Sequence, residues 1–247
     1  MPGKTGLLAG LLLLAPLVHA QPSPAHYTCR RAASPIRIDG RLDDPAWAKA
    51  PWTAYFVDIE GAKRPKPRFR TRAKMLWDDT YLYIAADLQE PDIRATLTEH
   101  DSVIFHDNDF EVFLNPSGDG RNYFEFEINA LNTGWDLFLS KPYREGGKAD
   151  NSWEIPGLLT AVALNGTLNH PADRDRGWTV EMAFPWTAFA SRAPITRPAP
   201  GDTWRANFSR VEWRHVPGEK EANWVWSPQG LIDMHVPTHW AYLHFAQ

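Results

Sequence analysis

The residues best suited to chemistry lie between Asp107 and Ala130. In DFEVFL (109–114), strand geometry alternates side chains between two faces, so Phe110, Val112 and Leu114 share one side and Asp109, Glu111 and Phe113 the other. In YFEFEIN (123–129), the same alternation puts Phe124, Phe126 and Ile128 on a core side and Tyr123, Glu125, Glu127 and Asn129 opposite. If the two segments pair across the PSGDG turn at 116–120, Glu111, Glu125 and Glu127 crowd one sheet face. A solvated outer face is one explanation of that crowding. Carboxylates are also good acceptors for sugar hydroxyls and good oxygen ligands for calcium. Two carboxylates about 5 to 9.5 Å apart are what glycoside hydrolysis uses, so a catalytic pair drawn from these glutamates is a further alternative.

Aromatic residues form a second constellation. The chain has 12 tryptophans, scattered from Trp47 to Trp240. In the 203–213 segment, Trp204, Ala206 and Phe208 alternate with Arg205, Asn207 and Ser209, which assigns the first set to the core and the second to the outside. NWVW at 223–226 places Trp224 and Trp226 on one side if extended, beside the turn at 227–230. A flat indole can cover the apolar face of a sugar ring while polar neighbours take its hydroxyls; burial in the core is the competing use of each ring. The chain carries no GxSxG, Walker loop, HExxH or CxxCH motif. Met234 and His235, or His106, offer axial ligands for haem, which keeps an electron-transfer domain as an alternative.

The elements that must hold these residues are short strands. FRTRAKMLW (69–77) and YLYIAADL (81–88) flank a three-residue polar connection, and further alternating segments fall at 109–114, 122–130, 135–139, 158–164, 177–184, 203–213 and 239–245. Turn signals separate them, and helix signals are brief: Asp44 as N-cap before Pro45, and about one turn from Pro185 to Phe189. Many short strands in one chain of ordinary domain length predict an all-β fold, a single antiparallel β-sandwich with one or two short helices. The first 20 residues read as a cleavable signal peptide: Lys4, a 12-residue apolar stretch from Leu7 to Val18, and a small residue at Ala20. Twelve apolar residues fall short of the roughly 20 that span a bilayer, so no membrane insertion is expected and residues 21–247 are expected to be secreted or periplasmic. A net charge of −4 without basic clusters argues against nucleic acid as a partner. The single cysteine, Cys29, cannot form an internal disulfide; a buried small apolar role is expected for it, with an intermolecular bridge as the alternative.

Six ordered stretches resemble carbohydrate-binding module family 9, in particular its stand-alone family 9-like proteins. They are IDGRLDDPAW (38–47 with Ile36 just before), LWDDTYLYIAADLQEPDI (76–93), the segment from Asp101 to Leu139, GWTVEMAFPW (177–186), GDTWRANFSRVEW (201–213) and NWVWSPQGLIDMHVP (223–237). The resemblance implies a β-sandwich, sugar binding without catalysis of its own, and structural calcium. It also implies a link to polysaccharide breakdown, since such modules are commonly attached to xylanases; an oligosaccharide or polysaccharide is the expected ligand, and glycoside hydrolases acting on the same glycan are expected partners. Members resembling the xylanase modules clamp a terminal sugar between two tryptophans, positions that correspond here to Phe105 and to the neighbourhood of Met234. Glu111 matches an acidic position of the binding members, Glu127 stands where some carry arginine, and Glu90 resembles a calcium-associated position. Trp47, Trp77, Trp178, Trp186 and Trp204 fall within family-wide signatures and are assigned to the core. The expected carbohydrate-binding set is therefore Phe105, Glu111, Glu125, Glu127, Trp135, Trp224, Trp226 and Met234, with Glu90 as the expected calcium ligand.

Overall fold

Apolar and polar alternation is realised in thirteen strands among the described residues, which in this computed structural model are 23–190, 192, 197–214, 216 and 218–247. The signal peptide expected at 1–20 lies outside them. The strands are β1 (His26–Arg31), β2 (Val57–Asp58), β3 (Thr71–Trp77), β4 (Tyr81–Gln89), β5 (Asp109–Asn115), β6 (Tyr123–Asn129) and β7 (Gly134–Leu139). They continue with β8 (Ala149–Asp150), β9 (Leu159–Asn165), β10 (Gly177–Pro185), β11 (Thr203–Glu212), β12 (Ala222–Val225) and β13 (Ala241–Phe245). One layer runs β8-β7-β6-β5-β11-β13, with β12 paired to β11 and β2 to β12; the other runs β3-β4-β10-β9. The expected short helix after Pro185 is α1 (Trp186–Ala190).

The two layers meet through β1. Its first four residues pair with β13 and its last two with β3, both in parallel. The sandwich is thus not wholly antiparallel, because a strand that serves two sheet edges must run in the direction both edges accept. Between the layers lie Phe110, Val112, Leu114, Phe124, Phe126 and Ile128 from one side and Met75, Ile84, Leu88, Val180 and Met182 from the other. Trp47, Trp77, Trp178, Trp186 and Trp204 are all buried as expected, and Cys29 is free and fully buried. Arg210 also faces this interior. Its guanidinium reaches Thr71 Oγ1 at 3.0 Å, the Gln89 carbonyl at 2.9 Å and the Glu90 and Glu212 carboxylates at 2.6 and 2.7 Å, tying β11 to the opposite layer.

The IDGRLDDPAW segment covers the outside of the second layer, and two features explain its composition. Gly40 sits at φ +81° with β9 so close that a Cβ would lie 2.6 Å from the Ala163 nitrogen, a place only glycine can occupy. Glu181 of β10, fully buried, accepts the Asp39 and Gly40 N–H groups at 3.0 and 2.9 Å and the Trp47 indole N–H at 2.6 Å. Asp44 does precede a short 3₁₀ turn at Pro45–Lys49, but its carboxylate accepts the Arg37 N–H at 2.8 Å and makes no cap.

On the outside of the first layer, a second cluster forms from Ile59, Phe113, Tyr123, Leu137, Leu139, Val225, Met234 and Trp240. The 231–240 segment is pinned over it by Trp240, whose indole N–H donates to the Met234 carbonyl at 2.8 Å. His235 is held by the Tyr123 hydroxyl at 2.9 Å from its Nδ1 and by its own N–H to Asp233 at 2.7 Å.

Two outcomes are expected from these contacts. Glu181→Ala leaves three donors without their acceptor and should lower unfolding free energy by about 2–4 kcal/mol in urea titration, with Glu181→Gln intermediate. Burial pushes the His235 pKa down to about 4, against the pull of Asp233 and with the push of Arg144. A histidine kept neutral in the fold contributes stability above its unfolded pKa near 6.5 and loses it as pH falls toward 4. The stability difference between wild type and His235→Gln should therefore shrink by about 2 kcal/mol across that window, although Tyr123, Tyr143, Asp233 and Arg144 around the ring are unchanged. A flat difference would show that the ring titrates in the fold as it does in the unfolded chain.

Candidate functional site

The register of β5 and β6 decides what faces outward. Glu111 stands opposite Glu127 and Phe113 opposite Glu125, and the rows continue onto β11 at Ser209 and onto β7 at Trp135 and Leu137. The predicted crowding of Glu111, Glu125 and Glu127 on one face is thus realised, and Asp109 joins it. These residues are not solvated: all four acids are buried. Glu111, Glu125 and Glu127 form the floor of an open cleft of about 430 Å³, whose lining also includes Phe105, Trp135, Tyr143, Met234 and His235, and Asp109 lies fully buried against Glu111 and Glu127.

The floor is electrostatically unusual. Oxygens of Asp109, Glu111 and Glu127 converge to within 4.8 Å of one another. Asp109 Oδ1 accepts the Val211 N–H at 2.9 Å and Glu127 Oε2 accepts the Phe105 N–H at 3.0 Å, whereas Asp109 Oδ2 and Glu125 Oε2 are buried without a hydrogen-bond partner. Burial disfavours the charged form: it pushes Glu111 up to about 7 and holds Asp109, Glu125 and Glu127 well above the usual carboxylate range, with mutual repulsion adding to the rise in the last three.

The walls are aromatic and lie toward opposite ends of the rows. At the Glu127 end, the half-exposed Phe105 tilts against Trp135, ring centroids 6.2 Å apart at 34°. Trp213 braces this loop from outside, its indole N–H donating to the Phe105 carbonyl at 2.8 Å. At the Tyr123 end, Tyr143 packs edge-on to His235 with centroids 4.4 Å apart, leaving the phenol 45% exposed. Met234 and the exposed Ile232 line the same cleft. Tyr143, His235, Ile232 and Asn223 are wall residues that the sequence pattern did not single out as sugar contacts. The available signal was an aromatic residue in KPYREGG, directly before a turn that Gly146 closes at φ +77°.

Three expectations need correction. Trp224 and Trp226 do share a side, but it is the inner one: Trp224 is in register with Arg210 and 2% exposed, and Trp226, 5% exposed, stacks on Phe208. Neither ring can meet a sugar, and Tyr143 supplies the aromatic surface in their place. Glu90 cannot serve as the calcium ligand, because the Arg210 guanidinium already stands against its Oε2 at 2.6 Å and the Asp92 N–H holds its Oε1 at 3.2 Å. Met234 and His235 are consecutive on one loop, so they do not supply the two opposed axial ligands of a haem. Phe105, Glu111, Glu125, Glu127, Trp135 and Met234 all line the one cleft.

Known proteins resemble this chain in sequence and fold to differing extents. The description "carbohydrate family 9 binding domain-like" fits residues 38–202. Exoglucanase XynX of Acetivibrio thermocellus is 28% identical over 171 residues, a match covering 67% of this chain and 13% of that protein, so the chain spans only a small part of this relative. Among solved structures, a Bacteroides uniformis protein superposes with a TM-score of 0.70 at 17% identity, covering 90% of this chain and all 100% of that one. A family 9 carbohydrate-binding module from Caldicellulosiruptor kristjanssonii, solved in complex with cellotriose, gives a TM-score of 0.60 at 16% identity and covers 90% and 93% of the two chains. The structural likeness establishes the β-sandwich, and the match over residues 38–202 takes in well over half of the sequence: the chain belongs to the carbohydrate family 9 binding domain-like family.

Proposed function

We propose that the protein is an exported, non-catalytic carbohydrate-binding domain that holds an oligosaccharide or a polysaccharide end in the cleft between Phe105 and Tyr143, in support of glycan degradation by glycoside hydrolases. The observation that carries this reading is the pairing of partly exposed rings with inward acids in one cleft: Phe105, Trp135 and Tyr143 above Glu111, Glu125 and Glu127. Rings of this kind cover the apolar faces of a pyranose, and a floor of acceptors takes its hydroxyls. The cellotriose bound by the Caldicellulosiruptor kristjanssonii module supports a β-linked glucan as the first ligand to try, and the endo-1,4-beta-xylanase A of Thermoanaerobacterium saccharolyticum, 28% identical over 157 residues, supports xylan as the second. Export is supported by the leader-like first 20 residues, and among the described residues no helix is long and apolar enough to cross a membrane.

Geometry speaks against an inverting glycosidase built on the pair Glu111 and Glu127. That reaction leaves about 6.5–9.5 Å between its carboxyl groups for the attacking water, whereas Glu111 and Glu127 bring oxygens within 4.8 Å. Both are also buried in the floor.

Isothermal titration with cello- and xylo-oligosaccharides, together with retention on insoluble cellulose and xylan, tests the proposal. Binding is expected for at least one series, and Tyr143→Ala and Trp135→Ala should each weaken it about 10-fold or more, the loss of a well-packed aromatic anchor. Trp224→Phe, a change in the core, should leave affinity within about twofold. Reducing-sugar release should stay at background with every glycan. Absence of heat and of retention on all of them would remove the proposal, and sugar release abolished by Glu111→Gln would replace it with the hydrolase.

A further inference from the structure

We propose that Asp109, Glu111 and Glu127, with Glu125 beside them, form a binding site for a hard divalent cation of the calcium class at the floor of the cleft. Four acids are buried together here, and none of the ion pairs among the described residues involves any of them. Burying even one unpaired charge is costly, and burying several of one sign adds their repulsion. The backbone does little to relieve it: one N–H each goes to Asp109 and Glu127. Two oxygens stay buried with no hydrogen-bond partner, Oδ2 of the fully buried Asp109 and Oε2 of Glu125, which is 4% exposed and lines the same cleft.

The spacing suits such an ion. Calcium bonds oxygen at about 2.3–2.6 Å, so ligands on opposite sides of one ion stand up to about 5 Å apart. The converging oxygens of Asp109, Glu111 and Glu127 lie within 4.8 Å of one another. An all-oxygen donor set without cysteine or histidine selects calcium, magnesium or manganese over zinc or copper, and the open cleft above leaves positions for water or hydroxyl ligands.

Other acid clusters of the protein show what this one lacks. Glu90 and Glu212 close on Arg210 at 2.6 and 2.7 Å. Asp101, Asp136 and Glu154 surround His100 Nε2 at 3.5, 3.3 and 3.0 Å, and their proximity favours its protonated, cationic form. Each of those groups has a basic side chain within ion-pair distance of its oxygens. Among the described residues none stands that close to the cleft-floor acids, and Arg210 acts on Asp109 only from beyond ion-pair distance.

The test uses the metal alone, so its failure and the failure of sugar binding are separate results. Protein stripped with a chelator and dialysed is titrated with calcium by calorimetry, and with terbium while exciting tryptophan, because Trp135 faces Glu127 across the strands. One ion per chain is expected, in the micromolar to millimolar range of known calcium sites, with sensitised terbium emission and a higher thermal midpoint in calcium. Glu127→Gln and Glu111→Gln should each weaken binding at least 10-fold and abolish the calcium-dependent rise in midpoint, while Glu154→Gln should stay within twofold. No binding by the wild-type protein at millimolar calcium would overturn the proposal and mean that the acids share protons instead. So would binding that survives Glu127→Gln and disappears in Glu154→Gln, which would place the ion at His100.

Discussion

The pairing of Glu111 with Glu127 is the constraint around which the binding face is arranged. Strand alternation that buries Phe110, Val112 and Leu114 obliges Asp109, Glu111 and Phe113 to face the other way, and the neighbouring strand does the same with Glu125 and Glu127. Moving β6 by one residue would send its glutamates into the core and its phenylalanines outward, so the inner packing fixes the acid cluster as firmly as it fixes itself. The cleft is therefore not a loop-built addition to a finished sandwich. Its floor is the outer side of the same two strands whose inner side fills the core.

What surrounds the floor divides between scaffold and walls. Arg210 joins the layers from inside, Glu181 locks the 36–47 segment onto the second layer, and Trp240 pins the 231–240 segment onto the first. None of these touches the cleft contents, yet Trp240 sets the height of Met234 and His235. Trp213 does the same for Phe105 from the opposite end. The rings that reach the cleft are thus carried on connections, and the residues that brace those connections are anchored in strands or against them. This is the division expected when a rigid sheet positions variable binding loops.

Much of this was legible in the residues because period-two alternation reports faces directly. The hairpin of β5 and β6 and the inward set of β11 follow from it, while the single helical turn after Pro185 follows from the proline at its start. Alternation says that two residues share a side without saying which side, and that is where NWVW misled: Trp224 and Trp226 were correctly placed together, but only pairing with Arg210 reveals that the side is internal. The parallel course of β1 depends on two edges far away in sequence, beyond the reach of any local pattern. Glu90 has the chemistry of a calcium ligand, and what disqualifies it is Arg210, 120 positions away. Tyr143 escaped notice for the converse reason, since a turn residue belongs to no periodic segment and its exposure depends on how the β7–β8 connection folds over His235.

The contrast among the acid clusters gives the cleft its chemical character. Where the protein needs carboxylates only for structure, it surrounds them with donors or sets a cation of its own among them: Glu181 receives three N–H groups, Glu90 and Glu212 receive Arg210, and Asp136 has His100. A fold that can place an arginine in its interior between β11 and β4 has the means to place one beneath Glu111. Its absence there leaves acceptor oxygens buried and close together at the base of a cleft walled by partly exposed rings. Such a surface is poor at stabilising the empty fold and well suited to a visitor that brings hydroxyls, positive charge or both. The cost of leaving those acids without an ion pair is what sets this face apart from the clusters built on Glu181 and Arg210.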